Sequence, residues 1–522
     1  MNQSPEVIAE LAEIDDQLGQ HFNRYLENAT KSKETYQLHV VDERLLQGLS
    51  ERFLERARQR AEEQAQKGWI ITLDDYVDVL NNADNSALRK PIWQARRKVA
   101  YKNGPDGQHP EYDNRQTVLQ IVKLRQKRAK ILGFKNHAEY ALQDKMAKTP
   151  ERVSQFLDDF CVQIKPAAQR ELSELKAFKK AQGGSSEIQP WDLWYWETRH
   201  KEHTLNLDLE EVRQYFSFEK VLKDGVMKQG KLFWDIDFVE RKDLPTYHED
   251  VVPYEAQING KTIGFVYLDP FARKGKRSGA WVAPLRSHHI GEYGQEVVPV
   301  MILVLNIAEA PEGQPNLLSI GETTTVFDEM GHAYHGLLSR VEYQAQNGVA
   351  RDFVEVPSQV PENLVYERPI LELFAYHHQT GEVISPALIA QIKAVKDYGA
   401  ARFELGQMSL ADVDMKWYTS VNLPDINGVF DFESEALSRT RLIFSNEDGL
   451  ISTNFGHIFT GGYHAGYYGY QWARVIGADL YAAFIEDGEF SLEQAREVAG
   501  RFRDHILSQG DRAEALDLFK NF

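Results

Sequence analysis

The chain has 522 residues, is 42% hydrophobic and carries a formal net charge of -18. That apolar content fills a large core and excludes a disordered chain, while the acidic balance excludes nucleic acid as the main partner, because phosphate binding needs a basic surface. The single cysteine, Cys161, excludes an intrachain disulfide and a thiolate metal cluster.

The N-terminal stretch MNQSPEVIAELAEIDD is acidic and amphipathic, unlike a secretory signal, and no apolar run is long enough to span a bilayer. A cytoplasmic location without a membrane partner is therefore expected. Residues 1 to about 230 read as helices, with apolar residues at three- and four-residue spacing over 5–28, 43–66, 86–102, 113–132 and 149–182. Gly-Pro-Asp-Gly at 104–107 and Gly-Gly-Ser-Ser at 183–186 punctuate them. Cys161, in the run FLDDFCVQI, is expected as a small buried hydrophobe. Trp191, Trp194 and Trp196 crowd one stretch, where buried packing is favoured over a groove lining.

Between 230 and 307 the pattern changes. Phe233 to Val239, Val251 to Ile258, Thr262 to Leu268 and Val297 to Leu305 read as strands, with Asn259-Gly260 as a hairpin turn. From 319 onward the pattern returns to helix. No internal repeat or low-complexity tract occurs. The expected fold is mainly α with a small sheet, divided as a helical lobe over 1–230 and a second lobe over 231–522, the two intertwined.

On the helix expected over Glu322 to Arg340, Val326, Met330, Ala333 and Leu337 form an apolar stripe. Asp328, His332 and His335 lie on another face. Residues 328–332 read Asp-Glu-Met-Gly-His, one residue away from H-E-x-x-H, the helical zinc-protease signature. Positions four apart project from one helical face and can grip one ion, and the glutamate between them serves as general base. A solvated polar face is the plainer reading of an isolated H-x-x-H. Glu329 beside it, and the later segment Asp352-Phe-Val-Glu-Val-Pro-Ser-Gln359 with Glu355 as a third ligand, favour a metal site. The third feature is FGHIFTGGYHAGYYGY at 455–470. Gly461 and Gly462 make a turn, and Tyr463, Tyr467 and Tyr470 follow at i, i+4 and i+7, so their hydroxyls are expected to converge on a ligand and to suit a developing oxyanion. Packing is the preferred role for Tyr468.

Together, GKTIGFVYLDPFARKGKRSGAW (260–281), ETTTVFDEMGHAYHGLLSRV (322–341), RDFVEVPSQ (351–359) and FGHIFTGGYHAGYYGYQW (455–472) resemble the thimet oligopeptidase, or M3, family of zinc metallopeptidases, in its oligopeptidase A and dipeptidyl carboxypeptidase branch. ADNSALRKPIW (83–93) and YALQDKMAKTPERV (140–153) resemble the family's helical half. The resemblance implies two helical lobes around a deep channel that admits short peptides. It implies Glu329 as general base and His332 and Glu355 as ligands of one Zn²⁺, with Asp328 in the remaining ligand position. It implies Glu322, His335 and Asp352 as supports behind the ligands. His457 and Tyr470 would act on the reacting carbonyl, with Tyr463, Tyr467, Gly461 and Gly462 binding peptide.

Asp328 departs from the family. A second carboxylate weakens the ion as a Lewis acid and shifts preference toward Mn²⁺, Mg²⁺ or Fe²⁺. His335 or His464 is a candidate replacement nitrogen. Relative to the family, the helical lobe is expected to be shortened and the C-terminal tail absent. The expected function is metal-dependent hydrolysis of short peptides. A homologue that binds a peptide or partner without cleaving it, needing no metal, is the alternative, and non-peptidase metal chemistry in a biosynthetic role ranks below both. The sequence sets no oligomeric state.

Overall fold

A computed structural model describes residues 4–273, 275–277, 279–310, 313–443, 449–486 and 489–522. It is 56% helical. The chain forms two compact units, each made of two stretches. The first comprises Met1–Thr204 with Tyr398–Tyr468, the second Leu205–Asp397 with Gly469–Phe522. Residues 205–230 thus fall in the second unit and 398–468 in the first.

The first unit is helical where the apolar periodicity places helices. Its long helices are Pro5–Glu34, Glu51–Glu63, Ser86–Arg97, Arg115–Ile131 and Pro150–Ala181, followed by Ala400–Thr419 from the second stretch. Their starts are local chemistry. Ser4, Ser50, Asn85 and Thr149 each accept a hydrogen bond from a backbone N–H of the first turn, and Pro5 and Pro150 sit where no N–H is needed. Glu43–Leu46 forms a separate 3₁₀ turn, so the helix expected from 43 begins only at Glu51. The core gathers Phe53, Ile71, Val79, Leu88, Ile92 and Val99. Cys161 is buried, as its apolar run predicts. Of the three crowded tryptophans, Trp196 is half-buried and packs against the cluster of Leu172, Leu175 and Ile188, while Trp194 is exposed and departs from the packing expectation. Trp191 is held by its Nε1–H, donated to Ser86 Oγ at 3.0 Å.

The second unit carries a five-stranded sheet of β1 (Ile236–Glu240), β2 (Val252–Ile258), β3 (Lys261–Phe271), β4 (Trp281–Arg286) and β5 (Val300–Ile307). Its order is β1-β2-β3-β5-β4, with only β3 and β5 parallel. Asn259 and Gly260 both have positive φ, +50° and +76°, as the tight hairpin joining β2 to β3 requires. The chain before β1 stays helical over Lys228–Trp234 and ends in left-handed Asp235, so β1 begins later than its β-rich residues suggest. β4 escapes sequence reading because Pro284 argues against a strand. It lies at the sheet edge, where proline is tolerated, and the register shifts beside it.

Three helices carry the motifs of this unit: α1 (Ile320–Leu338), α2 (Val356–Leu364) and α3 (Gly469–Ala482). α1 packs on β5 with its predicted stripe, and Val326, Met330, Ala333 and Leu337 are all buried. Each large member of such a stripe stabilises the fold by about 1.5–3 kcal/mol relative to exposure. No helix among the described residues is long and apolar enough to cross a membrane.

Candidate metal centre

The start of α1 is fixed by a capping box. Ser319 Oγ accepts the Glu322 N–H at 3.1 Å, and Glu322 Oε2 accepts the Ser319 N–H at 2.7 Å. The structure therefore engages the carboxylate of Glu322 at the helix start, two turns before Asp328. From there α1 runs unbroken, so Asp328 and His332 stand one turn apart on one face.

Gly331, between the motif residues, permits the site. A Cβ at this position would lie 2.7 Å from Ser358 Cα and 3.1 Å from the Pro357 carbonyl oxygen. Backbone cannot yield as a side chain can, so only glycine allows α1 to approach α2 this closely. Glu355 occupies the residue just before α2, and the close approach brings its side chain to the motif. Its Oε2 lies 3.1 Å from His332 Nε2, within hydrogen-bond distance.

Asp328, Glu329 and His332 each offer one ligand atom, and these atoms lie within 4.8 Å of one another. Asp328 Oδ2 is 4.0 Å from His332 Nε2. Two atoms each bonded to one tetrahedral Zn²⁺ are about 3.3 Å apart, given bond lengths near 2.0–2.1 Å. The Glu355–His332 spacing meets this, and the Asp328–His332 spacing exceeds it by less than an ångström, within reach of a side-chain rotation. Glu329 is buried, and its Oε2 has no hydrogen-bond partner among the described residues. A buried, unpartnered carboxylate oxygen is costly unless a ligand, water or ion completes it. One imidazole, two carboxylates and an orphaned third carboxylate thus fit a divalent cation.

The electrostatics agree. Burial, with the charge of Asp328, pushes Glu329 up to about 8. Asp328 is also raised, by burial and by Glu355, against the His332 charge and the Ser358 hydroxyl. His332 moves the other way: burial lowers it, but the hydrogen bond and charge of Glu355 and the charge of Asp328 prevail and lift it to about 9. His335, one turn further, gains no such partner, and burial drives it down to about 4.

Sequence reading missed Glu362. It lies seven residues after Glu355, on the same face of α2, and burial with the charge of Asp328 raises it to about 7. Arg474 of α3 opposes both shifts. Asp352 is fully buried before α2, where Gly469, the first residue of α3, packs against its Cα. Gln359 Nε2 donates to the Tyr470 carbonyl at 3.5 Å, which ties the start of α3 to α2.

The glycine-rich loop belongs to the first unit up to Tyr468. Residues 462–468 form turns, as the glycine-rich segment predicts, and Ala465 is left-handed with φ +48°. A left-handed alanine costs about 1–2 kcal/mol. Asp414 offsets this: its buried carboxylate accepts the N–H groups of Ala465, Gly466 and Tyr467 at 2.8–2.9 Å. Lys145 Nζ donates to the carbonyls of His464 and Ala465 at 3.1 and 2.9 Å. Neither clamp is visible in the motif itself, although Lys145 lies in one of the resembling segments. The rings of His457, Tyr463 and Tyr467 lie 5.9–6.4 Å apart. The Tyr467 hydroxyl donates to Gln407 Oε1 at 3.0 Å, and Tyr468 is fully buried as packing predicts. Gly461 is required, since a Cβ there would lie 2.8 Å from the His457 carbonyl oxygen, while Gly462 is exposed. His464 Nδ1 is 2.9 Å from His137 Nε2, and burial, helped by the nearby Arg125 charge, holds both imidazoles well below their usual range.

The family model for peptidase family M3 matches residues 79–522. The chain belongs to that family. Oligopeptidase A of Escherichia coli is 34% identical to the M3 chain over 516 residues, covering 98% of this chain and 75% of that protein. Dipeptidyl carboxypeptidase of Escherichia coli is 31% identical, covering 97% and 73%. A solved structure of PZ peptidase A with an inhibitor superposes with a TM-score of 0.56 at 14% identity, covering 99% of this chain and 73% of that one. At that identity the match speaks for the fold, and it bears out the mainly α architecture.

Proposed function

We propose that this M3 chain hydrolyses short peptides with the help of one divalent ion, zinc in the first instance. The observation that carries the reading is the convergence of Asp328, His332 and Glu355 beside the orphaned oxygen of Glu329. The names of its relatives, an oligopeptidase and a dipeptidyl carboxypeptidase, support short peptides as the substrate class. Asp328, His332 and Glu355 would hold the ion, which when bound polarises a peptide carbonyl and makes water more acidic.

The rest is the work of side chains. Glu329 Oε2 accepts the proton of the attacking water and returns it to the leaving amine. A carboxylate raised by burial is a stronger base than one in solvent, and a value near neutrality suits both transfers. Tyr470, at the start of α3, donates its phenolic hydrogen to the carbonyl oxygen as negative charge develops. By motif resemblance, His457, Tyr463 and Tyr467 bind the peptide.

The test is elemental mass spectrometry of the purified protein, followed by digestion of a short-peptide library after loading with Zn²⁺, Mn²⁺ or Fe²⁺. Stoichiometric metal and metal-dependent cleavage are expected. Metal-loaded protein that leaves every peptide intact would overturn the reading. The second reading is peptide binding without cleavage, favoured by Asp328 where a second nitrogen would make a stronger site. It expects a peptide that binds tightly and stays intact.

A further inference from the structure

The first unit contains a recess of about 320 Å³. That volume lies at the lower end for small-molecule sites. Its walls are aromatic and aliphatic, with Tyr76, Trp93, Trp194 and Leu405 among them. Trp194 is 37% exposed and stands edge-on to Tyr76, their ring centroids 5.4 Å apart. Exposed indole held rigidly by a neighbouring ring is ready to stack on a flat apolar ligand.

The wall also has a polar corner. Ser409 donates its hydroxyl to Thr440 Oγ1 at 2.7 Å, Thr440 in turn donates to the Leu437 carbonyl at 3.3 Å, and Arg441 follows directly in the chain. Two arginines line the recess and differ in state. Arg402 is neutralised by Glu171 at 3.2 Å and Glu197 at 2.9 Å. Arg441 has no carboxylate partner among the described residues, in a chain whose acidic side chains outnumber the basic ones by 78 to 60. A guanidinium that lines the recess without a carboxylate partner there can accept one through two parallel N–H groups.

Gly406 supplies an independent observation. It lies inside the helix Ala400–Thr419 and lines the recess, yet an added Cβ would meet nothing within 4 Å. No close packing requires glycine there, and glycine weakens a helix interior relative to alanine. Its effect is to keep the recess open.

We propose that this recess binds a small aromatic monocarboxylate, its ring against Trp194 and its carboxylate on Arg441. The same chemistry is offered by a free acid and by the C-terminal aromatic residue of a peptide. Titration calorimetry of the full chain separates the possibilities, using indole-3-propionate, its neutral amide, and N-acetyl-Gly-Trp with and without C-terminal amidation. The acid is expected to bind at least about tenfold more tightly than its amide. Arg441→Met should erase that preference, and Gly406→Leu should abolish binding of both with the far-UV circular dichroism unchanged. N-acetyl-Gly-Trp binding as well as the free acid assigns the site to peptide termini, and weaker binding assigns it to free acids. No binding at millimolar ligand, equal affinity for acid and amide, or an acid preference that survives Arg441→Met would overturn the proposal. Should Gly406→Leu fail to fold, Arg441→Met decides alone.

Discussion

Two buried carboxylates, one in each unit, are treated in opposite ways. Asp414 receives three backbone N–H groups, and its charge holds a left-handed alanine and a glycine-rich turn in place. Glu329 is almost as buried, yet one of its oxygens has no donor among the described residues, and its nearest charges include other carboxylates. An acid given its donors during folding serves architecture. One denied them keeps its capacity for a proton or an ion. The supply of donors, more than burial, separates the two acids.

The comparison can be broken first at Glu329. Glu329→Gln keeps volume and removes the base, so peptide turnover should fall about 10²–10⁴-fold while urea unfolding shows no loss of stability. Retained turnover would mean that the proton goes elsewhere. Asp414→Ala should do the reverse, costing about 3 kcal/mol or more in urea unfolding, because three buried N–H groups lose their acceptor. Gly331→Ala tests the meeting of α1 and α2. The clash with Ser358 should cost about 1–3 kcal/mol and lower metal affinity in the same protein, read by competition with a colorimetric chelator.

The acid-rich centre also predicts a pH dependence. With His332 raised to about 9, its contribution to stability is complete below its unfolded value and is lost as pH rises through about 9. Glu329, raised to about 8, opposes ionisation, so stability falls as pH rises from its unfolded value through about 8. Both act in one direction, and the metal-free protein should lose thermal stability between pH 6 and 9 more steeply than the metal-loaded protein. Because ligation requires a neutral imidazole and ionised carboxylates, metal uptake at pH 7 should release protons, measurable by calorimetry in buffers of different ionisation enthalpy. The smallest expected effect is that of Asp328→His, which should shift metal preference from manganese toward zinc in competition binding.

The alignment of Asp328 with His332 was legible because helical spacing alone sets it, and α1 is an unbroken helix. The role of Gly331 was not, since a close approach involves a partner the sequence does not reveal. Glu362 carried a usable signal in its seven-residue spacing from Glu355. The left-handed Ala465 was not legible in the tyrosine segment, because Asp414 and Lys145 from distant segments dictate the backbone there. β4 was hidden by Pro284, which is a mark of its edge position. The sheet hairpin was legible because Asn259-Gly260 meets a strict backbone requirement.

Each unit is assembled from two separated stretches, and this governs how the chain is made. The helix Ala400–Thr419 packs against Pro150–Ala181, and α3 packs against α2, which precedes it by about a hundred residues. A ribosome must therefore deliver nearly the whole polypeptide before either unit can close, and the early helices wait with exposed apolar faces. During that interval the nascent chain should depend on chaperones more than a protein of the same length built from two contiguous domains.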